Sequence, residues 1–113
     1  MPKPLAQISQ AGVAVWLDDL SRERINNDSL KKLISEDNVV GVTTNPSIFA
    51  AAIGKSDLYQ SDILQNKEKS IEDIITKLTT DDVRNACDLF RTTFETSNGV
   101  DGRVSIEVDP RFA

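Results

Sequence analysis

At 113 residues the chain is one domain or a piece of one. Its 39% hydrophobic and 27% charged content is ordinary for a soluble globular protein, and its net charge of −5 argues against nucleic acid or an anionic membrane surface as a main partner. The absence of histidine removes His-based triads, His-ligated zinc and imidazole acid–base chemistry from this chain. The lone Cys87 allows no internal disulfide and makes a reducing cytoplasm the expected location.

The opening residues, Met1 to Leu5, lack the apolar core of a secretory signal, and no run of ~18 apolar residues is long enough to span a membrane. The first predicted strand is Gly12-Val13-Ala14-Val15-Trp16-Leu17, ending at Asp18-Asp19. Asn27-Asp28-Ser29 has the glycosylation pattern, which without a signal peptide is chance. Asp28 is placed to cap a helix over Ser29 to Ile34, with Leu30, Leu33 and Ile34 at the spacing of one helix face.

The second strand, Val39 to Thr43, stops at a cluster of hydroxyls, one amide and a proline: Thr43-Thr44-Asn45-Pro46-Ser47. Val42 has the stiffness that suits a strand, and Pro46 cannot donate to a ladder, so the strand ends near Asn45. Ser47 to Gly54 reads as a short helix with a glycine stop. Gly54-Lys55-Ser56 has the look of a P-loop tail. However, Phe49 stands where that motif needs its first glycine, and the lysine follows a helix rather than a strand. A helix end with a solvated lysine is the better reading.

Ser70 with Asp73 resembles a capping box before Ile71, Ile74, Ile75 and Leu78, one face of a helix. Thr79 or Thr80 is then expected to cap a new helix, with Asp81 and Asp82 in its first turn and a stripe of Val83, Ala86, Cys87, Phe90 and Phe94. On that stripe Cys87 reads as a buried structural thiol. Thr96 to Gly99 ends the helix, and Arg103 to Val108 forms a third strand before Asp109-Pro110.

Strands separated by helices imply an α/β fold with parallel pairing through right-handed crossovers. Side chains alternate faces along a strand, so parity sorts them. Asp18, Asn45 and Glu107 are in phase with Ala14, Trp16, Gly41, Thr43, Arg103 and Ser105. The opposite phase, with Val13, Val15, Leu17, Val40, Val42, Val104, Ile106 and Val108, is uniformly apolar and fit to pack on helices. A barrel interior facing a polar mouth would carry the first pattern, with helices outside. Trp16 reads as core or pocket wall.

A strand-end Asp or Asn commonly caps a turn or a helix. Three polar strand-end residues in one phase favour a shared site, in which carboxylates move protons and an amide binds hydroxyls. Asp18-Asp19 after a first strand also suggests a receiver module with an acidic magnesium pair. The phosphoacceptor aspartate expected after its third strand is missing, because Glu107 stands there.

At these residues the chain resembles a family. Val15-Trp16-Leu17-Asp18-Asp19, Gly41-Val42-Thr43-Thr44-Asn45-Pro46-Ser47 and Gly102-Arg103-Val104-Ser105-Ile106-Glu107-Val108-Asp109 resemble, in order and spacing, the first three strand motifs of transaldolases of the long, actinobacterial type. The resemblance runs from about Leu5 onward and implies a (β/α)8 barrel, of which residues 1–113 would be the first three units, an incomplete barrel and the amino-terminal segment of one domain. It implies transfer of a dihydroxyacetone unit between sugar phosphates through a Schiff-base lysine, with no cofactor and no metal, in the pentose phosphate pathway.

By the same resemblance Asp18 is the acid/base for carbon–carbon cleavage. Thr43 and Asn45 hold substrate hydroxyls, and Glu107 helps position a catalytic water. The family's lysine and phosphate-binding arginine belong to later strands, so the chain alone is expected to be inactive and to form no Schiff base. With two open sheet edges it is expected to self-associate or to be only marginally stable as a monomer. The competing readings are a non-catalytic α/β binding or receiver-like module complete at this length, and another Schiff-base sugar-phosphate aldolase.

Overall fold

The computed structural model describes residues 3–107. In chain order they form α1 (Pro4–Gln10), β1 (Val15–Leu17), α2 (Arg22–Asn26), α3 (Ser29–Glu36), β2 (Val39–Thr44), α4 (Pro46–Lys55), a 3-10 turn (Asp57–Tyr59), α5 (Gln60–Gln65), α6 (Ile71–Leu89), α7 (Arg91–Thr96) and β3 (Arg103–Ile106). The three strands make one sheet in the order β1-β2-β3, and both pairings are parallel. A receiver module follows the flavodoxin-like order, in which the first strand lies between the second and third. Here the second strand is central. Sequential order means that successive right-handed crossovers advance in one direction and leave their helices on one face of the sheet, as in the first units of a barrel.

The core lies on that face. Val39 and Val42 of β2 are buried with Leu20, Leu30, Phe49, Ala86 and Phe90, and Val15, Leu17 and Val104 pack against them. The parity prediction holds for Val15, Leu17, Val42 and Val104 and fails at the rim. Val13 precedes β1 and is 55% exposed, Ile106 is 36% exposed, and Val108 lies outside the described residues. It also fails at the start of β2. Val15 pairs with Val39 but Trp16 pairs with Gly41, so one extra residue enters β2 and brings Val39, rather than Val40, into the core.

On the opposite face the Trp16 ring lies across Gly41, where an added Cβ would fall among the indole carbons. Glycine is required there by close approach. Gly102 is required by backbone conformation, with φ of 80°, and by space, since a Cβ would stand 2.6 Å from the Phe94 nitrogen. Its own N–H donates to the Val40 carbonyl at 2.6 Å and leads the chain into β3.

Several helix boundaries differ from the sequence expectation. α4 continues through Gly54 to Lys55. α6 runs unbroken past Thr79 and Thr80, because their hydroxyls donate back to the carbonyls of Ile75 (2.9 Å) and Thr76 (2.7 Å) instead of accepting from a new first turn. That helix stops at Phe90, and Phe94 belongs to the separate α7. Ser70 caps α6 as expected, accepting from the Asp73 N–H at 3.1 Å. Asp28 precedes α3 but is left-handed, with φ of 63°, and makes no side-chain cap. The Asn27 Oδ1 accepts from the Ser29 N–H instead, at 2.9 Å.

Candidate functional site

The carboxyl ends of the three strands open onto a groove of about 350 Å³, lined by Asp18, Thr43, Thr44, Asn45, Ser105, Ile106 and Glu107. The register explains the convergence. Trp16, Gly41 and Arg103 form one row across the sheet, and Leu17, Val42 and Val104 form the next, turned to the helices. Asp18, Thr43 and Ser105 follow one step further along the strands, turned the other way. The Thr43 hydroxyl donates to Asp18 Oδ1 at 2.7 Å and ties the β1 end to β2.

Asn45 has a structural task as well. Its Oδ1 accepts from the Ile48 N–H at 3.0 Å and caps α4, so Pro46 can open that helix without wasting a donor. Its amide nitrogen carries two more donors, the groups suited to sugar hydroxyls. Glu107 is exposed just beyond β3, where its backbone N–H reaches the Thr44 carbonyl at 3.4 Å. All four residues singled out in the sequence, Asp18, Thr43, Asn45 and Glu107, therefore border the same groove. Among the described residues no lysine lines it.

Asp19 turns elsewhere. It borders a separate cleft of about 290 Å³ with Ser21, Glu23, Ile48, Ala51, Ala52, Lys55 and Ser56, and accepts from Arg24 Nε at 2.6 Å.

The sequence reading missed a buried cluster behind the β1–α2 loop. Arg22 Nε donates to Asp82 Oδ1 (2.8 Å) and its Nη1 to Asp62 Oδ2 (2.7 Å), while the guanidinium stands 4.4 Å from the Tyr59 ring centre. The Tyr59 hydroxyl accepts from the Arg22 N–H (2.8 Å) and donates to Asp82 Oδ2 (2.6 Å). Tyr59 and Asp82 are both fully buried. Burial opposes the Arg22 charge, but hydrogen bonds and charge from Asp82 and Asp62 outweigh it and hold the guanidinium above its ordinary pKa. Burial first, and the bond to Asp82 second, push the Tyr59 hydroxyl far above the usual phenol range. The available signal was Asp82 itself. Leu78, Asp82 and Ala86 recur at every fourth position of α6 and are all buried, and a carboxylate on such a row demands a partner.

Cys87, expected in the core, is exposed on α6. Its pKa is raised by desolvation and by Asp88, which leaves the thiol protonated and a weak nucleophile.

A parallel sheet wound in one direction, helices on one face and polar groups gathered at the strand ends define the class of α/β proteins whose chemistry sits at the carboxyl face. The family model for Transaldolase/Fructose-6-phosphate aldolase matches residues 15–113, and the chain belongs to that family, whose fold is the (β/α)8 barrel. It is 54% identical over 115 residues to the transaldolase of Kocuria rhizophila, covering 100% of this chain and 31% of the relative. It is 56% identical over 111 residues to that of Mycolicibacterium smegmatis, covering 96% and 30%. Against that of Renibacterium salmoninarum it is 56% identical over 110 residues, covering 96% and 29%. The chain thus spans less than a third of the length of the curated relatives it matches.

Proposed function

We propose that this chain is the amino-terminal part of a transaldolase that moves a dihydroxyacetone unit between sugar phosphates in the cytoplasm. In this reading it supplies the proton-transferring and hydroxyl-holding part of the active site. The observation that carries the proposal is the groove itself, where two carboxylates, a threonine hydroxyl and an asparagine from three strand ends border one space.

The chemistry asks for those groups. A lysine amine adds to the ketose carbonyl and water leaves, which gives an iminium that accepts electrons. Cleavage of the C3–C4 bond then sends its electron pair into the iminium, while the C4 hydroxyl loses its proton and becomes the aldehyde. Asp18, held by Thr43, takes that proton. Asn45 and Thr43 hold the sugar hydroxyls, and Glu107 positions the water that enters and leaves with the imine. The lysine is assigned to a strand of the longer protein, because the groove offers none.

Borohydride reduction of the longer chain with fructose 6-phosphate tests this. One lysine adduct is expected, outside residues 1–113, and none on the 113-residue chain. An adduct on a lysine of this chain, or none on either, refutes the assignment. Addition of an aldose phosphate separates the two activities in the family's description: a transaldolase passes the unit on, whereas an aldolase releases dihydroxyacetone.

Among the described residues the same reading gives the isolated chain two open strand edges, at β1 and β3, and a sheet face, with Trp16, Thr43, Arg103 and Ser105, that no helix layer covers. Self-association or marginal stability follows. A sedimenting monomer with a sharp cooperative melt would sink that expectation.

A further inference from the structure

Consecutive residues Asp18 and Asp19 place their carboxylates in different spaces. Asp18 borders the strand-end groove and accepts from Thr43, whereas Asp19 borders the neighbouring cleft and accepts from Arg24 Nε at 2.6 Å. Arg24 is built for that grip. Its Nη1 donates to the Ser29 hydroxyl at 3.1 Å, so the guanidinium bridges Asp19 and Ser29, while the Ser21 hydroxyl accepts from its backbone N–H at 3.1 Å and caps α2. The pair is half-buried, with side-chain exposures of 32% for Arg24 and 40% for Asp19, too exposed for such a bridge to add much stability. A short, doubly anchored bond that contributes little to stability calls for another role.

We infer that Arg24 is a positioning residue that holds Asp19 out of the strand-end groove, so that Asp18 alone faces the substrate. The inference rests on the reading of Asp18 as the proton-transferring group. Two adjacent free carboxylates would compete for the single Thr43 hydroxyl, and their like charges would push Asp18 off its place. The other charged groups bordering these two spaces are Glu23 of α2, Lys55 of α4 and Glu107 beyond β3. Among the described residues Lys55 is the only cation bordering them, and so the only alternative partner for a released Asp19 there.

The test is suppression. In the longer chain, Arg24→Met lowers kcat roughly 10-fold with KM within about twofold, because a proton-transferring group is displaced while substrate contacts remain. Asp19→Asn alone leaves kcat near wild type. Adding Asp19→Asn to Arg24→Met restores most of the lost rate, since the competing charge is gone. A structural role for the ion pair predicts the reverse, a double variant no better than Arg24→Met. That outcome, or an Arg24→Met kcat equal to wild type, overturns the inference.

If Arg24→Met does not fold, Arg24→Gln, which also removes the charge, is measured with and without Asp19→Asn, and the same suppression is required. An inactive wild-type longer chain refutes the transaldolase reading. A wild type that turns over without suppression refutes only the role of Arg24.

Discussion

Two sets of polar side chains flank the loop between β1 and α2, and they are built on opposite terms. Around Arg22 the groups are densely matched. Its side chain meets Asp82 and Asp62, its backbone N–H meets Tyr59, and Tyr59 closes the circuit to Asp82 with both residues sealed from solvent. At the strand ends the groups are sparsely matched. Among the described residues Asp18 accepts one side-chain hydrogen bond, from Thr43, and both Asp18 and Glu107 are exposed. A saturated buried network fixes one arrangement of the chain, and removing one member strands the rest. An open row of acceptors and donors stabilises little and is available to a ligand. The loop joins the two, with Leu20 fully buried between Asp18 and Arg22.

Substitutions on the two sides should therefore leave opposite signatures. The largest effect is expected in the groove. Asp18→Asn in the longer chain lowers kcat by ~10²–10⁴-fold, the usual contribution of a general acid–base group. Its thermal midpoint should stay within a degree or two of wild type, by roughly the ±0.5 kcal/mol of surface changes. A kcat within threefold of wild type would break the comparison from this side.

Asp82→Ala is the counterpart. It leaves the Arg22 charge and the Tyr59 hydroxyl short of their shared acceptor, at a cost of about 3–5 kcal/mol. That is a large share of the ~5–15 kcal/mol available to a domain. Denaturant unfolding checks it, and a loss below 1 kcal/mol would mean that the cluster is not what fixes the loop.

Thr44 fits neither pattern. It borders the groove, yet it is 2% exposed and its hydroxyl is buried without a hydrogen-bond partner among the described residues. Thr44→Val removes an unmet polar atom at nearly constant shape and should stabilise the chain by about 1 kcal/mol. A lower denaturation midpoint for the valine variant would contradict this.

The smallest effect concerns the surface of α6. Lys77 Nζ donates to Asp81 at 2.8 Å and holds the Asp81 carboxyl below its usual value of 3.8. A depressed folded-state pKa adds stability above the unfolded value and loses it as pH falls through the folded one. With Lys77 42% exposed, the pair contributes only about 0.3–0.5 kcal/mol. The stability difference between wild type and Lys77→Met should be present at neutral pH and vanish at strongly acidic pH. A difference that persists in acid would mean that packing, not charge, is at work.

Much of the strand-end groove was legible in the sequence, because it follows from local rules. Valine-rich runs make strands, Pro46 ends one of them, and alternation places Asp18, Thr43 and Glu107 on one face. The Arg22 cluster was not legible, because its partners lie 37, 40 and 60 residues away in the chain and only tertiary packing brings them together. The helix break expected at Thr79 failed for a local reason, since a threonine hydroxyl can either cap a helix or bond back into one, and here it bonds back. Removing that break changes the phase of α6. Asp82 passes from a solvated first turn to the buried row, and Cys87 passes off the row onto the surface. Val39 replaced Val40 in the core through a single-residue irregularity that alternation alone does not reveal.

The central claim is that three strand ends form one site for one substrate. A crystal structure of the longer chain carrying the borohydride-reduced adduct of fructose 6-phosphate tests it most directly. The account predicts the adduct in the groove, with Asp18 Oδ1 and the Asn45 amide within hydrogen-bonding distance of its hydroxyls. Glu107 should be within one water of the reduced carbon–nitrogen bond. An adduct seated away from this groove, or one that leaves Asp18 and Asn45 without contact to the sugar, would contradict it.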